Sequence, residues 1–71
     1  MKSVNSYNVY YEAHPDSIIY HAIAEDENEV LRLADEADID LMGMCIELDR
    51  KNVKDELGRP YEPKIEDAQV Y

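Results

Sequence analysis

The sequence predicts an α+β fold: a small ββαβ domain whose three-stranded, mostly antiparallel sheet (order 2-1-3) carries one helix on one face and ends in an extended C-terminal segment. Three observations predict it. Two stretches of β-forming residues, 6–13 and 18–24, bracket the turn sequence His14-Pro15-Asp16-Ser17. Aliphatic residues then recur at helical spacing behind an N-capping Asp26, and residues 44–48 return to strict alternation.

In the first strand Tyr7, Val9, Tyr11 and Ala13 alternate with Asn8, Tyr10 and Glu12, the period of a half-buried strand. Pro15, second in a four-residue turn, presets φ for a hairpin connection. A symmetric turn pairs Ala13 with Ile18, Tyr11 with Tyr20 and Val9 with Ala22. The core face is then Tyr7, Val9, Tyr11, Ala13, Ile18, Tyr20, Ala22 and Ala24. A one-residue slip turns Ile19, His21 and Ile23 inward instead. Both registers leave apolar side chains on the second face, and the sequence does not choose between them.

Asp26 and Glu29 stand at the spacing of a capping box. Val30, Leu33, Ala34 and Ala37 follow at i, i+3, i+4 and i+7, one stripe of a helix over 27–37. Asp38 breaks it and Ile39 covers its end. Met44, Ile46 and Leu48 then face inward, with Cys45 and Glu47 outward. A right-handed crossover lays this third strand beside the first and parallel to the second. Beyond Asp49, Asn52 to Leu57 suggest a helical turn closed by Gly58. Arg59-Pro60-Tyr61-Glu62-Pro63 should be extended, because each proline biases its predecessor away from helix. Lys64 to Tyr71 are an edge strand or a tail.

Charge divides the chain at the same place. Residues 1–49 hold twelve acids against Lys2 and Arg32, whereas 50–71 hold five acids and five bases. We therefore expect an acidic ββαβ domain over 1–49 and a charge-neutral, partly irregular extension over 50–71. With 71 residues, a chain buries only about 60% of the surface its unfolded form exposes. All six aromatic residues are tyrosines, so each ring brings a hydroxyl that wants a partner. A core so limited is marginal alone, and dimerisation or a bound partner is the expectation.

A single cysteine, Cys45, with no asparagine in a glycosylation triplet, points to a reducing, cytoplasmic setting. No run approaches the ~18 apolar residues of a membrane span. A net charge of −10 opposes direct binding of nucleic acid or anionic lipid and favours a basic protein partner.

The candidate binding residues are the acids Glu25, Asp26, Glu27, Glu29, Asp35, Glu36, Asp38 and Asp40, offset by Arg32 alone within that segment. A charge run is ordinarily a solvated helix face. One detail departs from that: Asp35, Glu36 and Asp38 crowd the negative end of the helix dipole, where each costs about 0.3–1 kcal/mol. A helix of about eleven residues is ~16–17 Å long, a length of duplex that carries about ten phosphate charges. Five carboxylates between Glu27 and Asp38, flanked by Glu25, Asp26 and Asp40, come within a factor of two of that density.

A second candidate interface is Tyr10 with Ile19, His21 and Ile23 on the sheet face the helix leaves uncovered, tyrosine burying area at low entropic cost. Its ordinary alternative is a partly exposed cross-strand cluster.

The sequence offers little for catalysis or metal binding. Asp38-x-Asp40-x-Met42-Gly43-x5-Asp49 mimics a calcium loop but puts Met42 where an oxygen ligand is needed. His14, His21 and Cys45 show no zinc-type spacing. Gly43 and Gly58 are the only glycines, so no phosphate-cradling loop exists. We expect no cofactor, no metal and no enzymatic activity. In size, acidity and lack of catalytic residues the chain resembles the small inhibitors that phages and mobile elements direct against host nucleic-acid enzymes, anti-CRISPR and anti-restriction proteins among them. That likeness implies a non-enzymatic inhibitor occupying the nucleic-acid-binding surface of a basic host protein. The alternative is a dimeric, antitoxin-like accessory module acting through the open sheet face.

Overall fold

In the computed structural model, which describes residues 3–68, the chain runs β1 (Asn5–Tyr11), β2 (Ile18–Ala24), α1 (Glu27–Glu36), β3 (Met44–Arg50) and β4 (Lys64–Asp67). The expected ββαβ core is present with its helix, and β1 lies between β2 and β3, antiparallel to both. The sheet, however, has four strands and not three, in the order β3-β1-β2-β4. The C-terminal segment that the sequence leaves undecided returns as β4 and pairs antiparallel with β2, Ile65 opposite Ala22. Residues 69–71 of that segment lie outside the described residues.

Of the two faces the sequence leaves open for β2, the hairpin turns Tyr20, Ala22 and Ala24 to the core, but not in the symmetric register. Val9 pairs with Tyr20, Tyr7 with Ala22 and Asn5 with Ala24. The shift is two residues, so the side chains from Tyr20 to Ala24 stay on their faces, whereas Ile18, expected inside opposite Ala13, lies opposite Tyr10 instead. The loop is longer than a simple four-residue turn: His14 N donates to Tyr11 O (2.9 Å) and Ser17 N to His14 O (3.1 Å). Near the turn the ladder slips, with Tyr10 opposite Ile18 and Ile19 the extra residue of a bulge. Tyr11 and Ala13, expected inside, are exposed.

Tyr7, Val9, Ala22, Ala24 and Val30 form the buried core, with Tyr20, Leu33, Leu41, Met44, Ile46 and Ile65 packed around it. Val9 and Val30 are fully buried, one from the sheet and one from the helix. The helix rests on β2 and β4. It therefore covers one half of the sheet and leaves the β3 half less protected, with Leu48 40% exposed.

Helix entry and exit follow from local chemistry. Asp26 is extended (φ −158°, ψ 178°) and its Oδ1 accepts from Glu29 N at 2.8 Å. The Glu29 carboxylate reaches back to Glu25 N (2.8 Å), one residue earlier than in the standard capping box. At the other end Asp38 N donates to Asp35 O and Ile39 N to Ala34 O, both bonds of a Schellman motif. Its left-handed position is filled by Asp38 (φ 61°) rather than the usual glycine. Ala37 follows the last helical residue and is exposed, which removes it from the predicted stripe.

The chain then turns into β3 through Leu41–Met44, where Met44 N donates to Leu41 O (3.0 Å) and Gly43 takes φ 78°. No atom lies within 4 Å of a Cβ placed on Gly43, so its backbone angle, not space, requires glycine there. The helical turn expected over residues 52–57 is instead a tight reversal. Asp55 accepts at Oδ1 from Leu57 N and Arg59 N, and an isolated bridge joins Lys54 to Pro60. Asn5 ties the sheet end together. Its amide nitrogen donates to Glu25 O and its Oδ1 accepts from Asn52 N (3.0 Å).

Candidate protein-binding site

The helix sorts the candidate acids by what the fold already asks of them. Asp26 and Glu29 serve the N-terminal cap. Glu29, Arg32 and Glu36 form one stripe in which the guanidinium bridges both carboxylates, at 3.2 and 2.8 Å. Those two contacts, the Glu29 hydrogen bond foremost, raise the Arg32 pKa further above its usual range. This side of the helix is internally neutralised.

A different stripe runs through Glu27, Leu31, Asp35 and Asp38, spaced at i, i+4, i+8 and i+11. Glu27, Asp35 and Asp38 make no side-chain hydrogen bond or ion pair among the described residues. Beyond the Schellman turn Asp40 joins them. Its Oδ1 accepts from Met42 N (2.9 Å), which pins the carboxylate beside the helix end. Asp35, Asp38 and Asp40 rim an open hollow of about 380 Å³ whose floor is Leu31, Ala34, Ile39 and Leu41. Leu31 is 50% exposed there.

An apolar floor under three carboxylates suits a long basic side chain, whose methylene stem lies on the leucines while its cationic head meets the rim. Sequence reasoning named the acids and missed the floor. The signal is present in Asp38-Ile39-Asp40-Leu41, which alternates acid and aliphatic, and in Leu31, one position off the core stripe.

The second candidate interface is less contiguous. Tyr10, His21 and Ile23 lie on the uncovered sheet face, while Ile19 is the bulge residue. Between Tyr10 and Ile23 sits the pair Asn8–His21, joined at 2.9 Å between Oδ1 and Nδ1. Tyr10 itself donates its hydroxyl to Glu47 Oε2 at 3.0 Å. Ile23 instead contributes, with Val53 and Tyr61, to a separate hollow flanked by Arg50 and Lys64.

Cys45 and His21 stand on strands separated by β1. No group of three or more His, Cys, Asp or Glu among the described residues is arranged to hold a metal ion. No helix among them is long and apolar enough to cross a membrane. Searches against family models, curated proteins and solved structures give no match to this chain.

Proposed function

We propose that this chain is a non-enzymatic, acidic interaction protein of the inhibitor type that phages and mobile elements make, and that it occupies the nucleic-acid-binding surface of a basic host protein. One observation carries the reading. The helix neutralises one of its acidic stripes with Arg32 and leaves the other, Glu27, Asp35 and Asp38, without a cation among the described residues, and Asp35 and Asp38 together with Asp40 line a hollow that also presents Leu31, Ala34, Ile39 and Leu41. A surface that needs only solubility has no use for such a division. The unpaired side presents charge and apolar area together, as a lysine- or arginine-rich groove requires of a competitor for its nucleic acid.

The test is capture of partners from a bacterial lysate on the immobilised chain, eluted with a salt gradient. We expect a basic nucleic-acid-binding protein released as salt rises, and its activity on nucleic acid lost when the chain is added. Asp35→Asn with Asp38→Asn removes two rim charges while keeping shape, and asparagine tolerates the left-handed position of Asp38. That variant should bind at least tenfold more weakly and with a shallower salt dependence. Unchanged binding by the double variant would reject the acidic stripe as the contact surface.

A further inference from the structure

The two edges of the sheet are built differently. At one edge β4 is four residues long, Lys64-Ile65-Glu66-Asp67, preceded by Pro63. Shortness, charge and proline are the devices that keep a strand edge from pairing with another chain. At the other edge β3 is seven residues long, contains no proline, begins with the uncharged run Met44-Cys45-Ile46, and carries its charges, Glu47, Asp49 and Arg50, only in its second half. Among the described residues its outer side has no strand partner and no loop backbone bonds to Cys45–Arg50. The helix lies over β2 and β4, so Met44 and Ile46 are only half-buried and Leu48 and Tyr11 are exposed beside this open edge.

We infer that β3 pairs antiparallel with β3 of a second copy of this chain, joining two four-stranded sheets into one of eight strands across a twofold axis at Ile46. The register follows from charge. A twofold antiparallel pairing keeps faces aligned only if it is centred on a residue. Three such centres pair at least five residues of β3. A centre at Glu47 sets Glu47 against its own copy, and one at Leu48 sets Glu47 against Asp49, like charges face to face.

Centred at Ile46, Met44 meets Leu48, Ile46 meets Ile46 and Cys45 meets Glu47, with no like charges opposed. This register uses residues 44–48, the regular part of the ladder with β1, and stops where Asp49 is bulged out. The exposed Leu48 gains an apolar neighbour.

The long-range charge also favours this edge. The sheet order puts β2 and β4 two and three strand spacings from β3. At ~4.8 Å per spacing the two acidic helices would stand on the order of 30 Å apart, against a screening length of about 8 Å at physiological salt. The inference is independent of the acidic hollow, whose lining includes no residue of β3.

The experiment is sedimentation equilibrium of the intact chain from micromolar to near-millimolar concentration. The expected mass climbs from 8.3 kDa towards twice that value, and Leu48→Lys moves the midpoint at least tenfold higher in concentration. Because Leu48 is 40% exposed, the substitution should not unfold the chain. Hydrogen exchange on the unaltered protein serves as the second readout, with β3 amides gaining protection as concentration rises and β4 amides not.

Register is read by Glu47→Cys, which sets a thiol opposite the partner's Cys45 and should give a covalent dimer on mild oxidation that is lost when Cys45→Ser is added, whereas pairing centred at Glu47 would set the new thiols against each other and keep the crosslink without Cys45. Pairing centred at Glu47 or Leu48 instead sets Cys45 opposite Asp49 or nothing in β3. A mass that stays at one chain throughout, a dimer insensitive to Leu48→Lys but lost on Ile23→Glu, or protection at β4 rather than β3 would each overturn the inference.

Discussion

Two side chains at the residue scale carry measurable consequences. The hydroxyl of Tyr10 donates to Glu47, and that hydrogen bond, followed by partial burial and the nearby charges of Glu47 and Cys45, raises its pKa above the ordinary 10.0. The phenol thus holds its proton more tightly folded than unfolded. Its contribution to stability is full below pH 10 and fades as pH rises through the folded value. Spectrophotometric titration, compared with Tyr10→Phe to isolate the one ring, should show Tyr10 ionising late, and Glu47→Gln should lower its midpoint. Asp38 is the other. A non-glycine residue at φ 61° is strained by about 1 kcal/mol, and its charge adds to the cost at a helix C-terminus. Asp38→Gly should raise stability in urea by about 1 kcal/mol while weakening capture of a basic partner. A loss of stability would show that the carboxylate has a structural role. This is the pattern expected where a residue is kept for contact rather than for folding.

Helix α1 was legible at the element scale because its signals are local. Asp26, Glu29 and the stripe Val30, Leu33, Ala34 act within a few turns, and the observed caps follow from them. Asp26→Ala should cost about 1 kcal/mol in thermal or urea unfolding, as loss of an N-cap does. A negligible change would mean that packing of Val30 alone holds the helix entry. Strand β4 was not legible in the same way. Lys64-Ile65-Glu66-Asp67 offers one aliphatic residue between charges, below any periodicity threshold. Its pairing depends on Ile65 packing on the core beside Ala22, a contact more than forty residues away in sequence. The shifted hairpin register likewise follows from the core. The slide sets Tyr20 and Ala22 opposite Val9 and Tyr7 in the cluster that Val30 completes, and the bulge at Ile19 absorbs the difference.

Charge is distributed unevenly over the whole molecule. The formal net charge is −10, and the acids gather on and around α1, at one half of the sheet. Self-repulsion of this kind opposes the folded state, and added salt screens it. The melting temperature should rise between ~0.01 and ~0.5 M sodium chloride. A fall would show that attractive pairs such as Arg32 with Glu29 and Glu36 outweigh the repulsion. The same asymmetry decides how much of the candidate site is legible in the sequence. The acids were evident in sequence, but their division into a neutralised stripe and an uncompensated one depends on the direction Arg32 takes, and the hollow beside them depends on Ile39 and Leu41 folding back under the helix end.

The sequence by itself determined the α+β class, the order β2-β1-β3, the helix with both its ends, and which faces of β1 and β3 point inward. Each rests on period, capping or turn chemistry acting over a few residues. Only the tertiary structure decided the fourth strand, the hairpin slide and the apolar floor beneath Asp35, Asp38 and Asp40. These arise where distant segments compete for one small core. The winner is set by the area each buries, which no local window of residues contains.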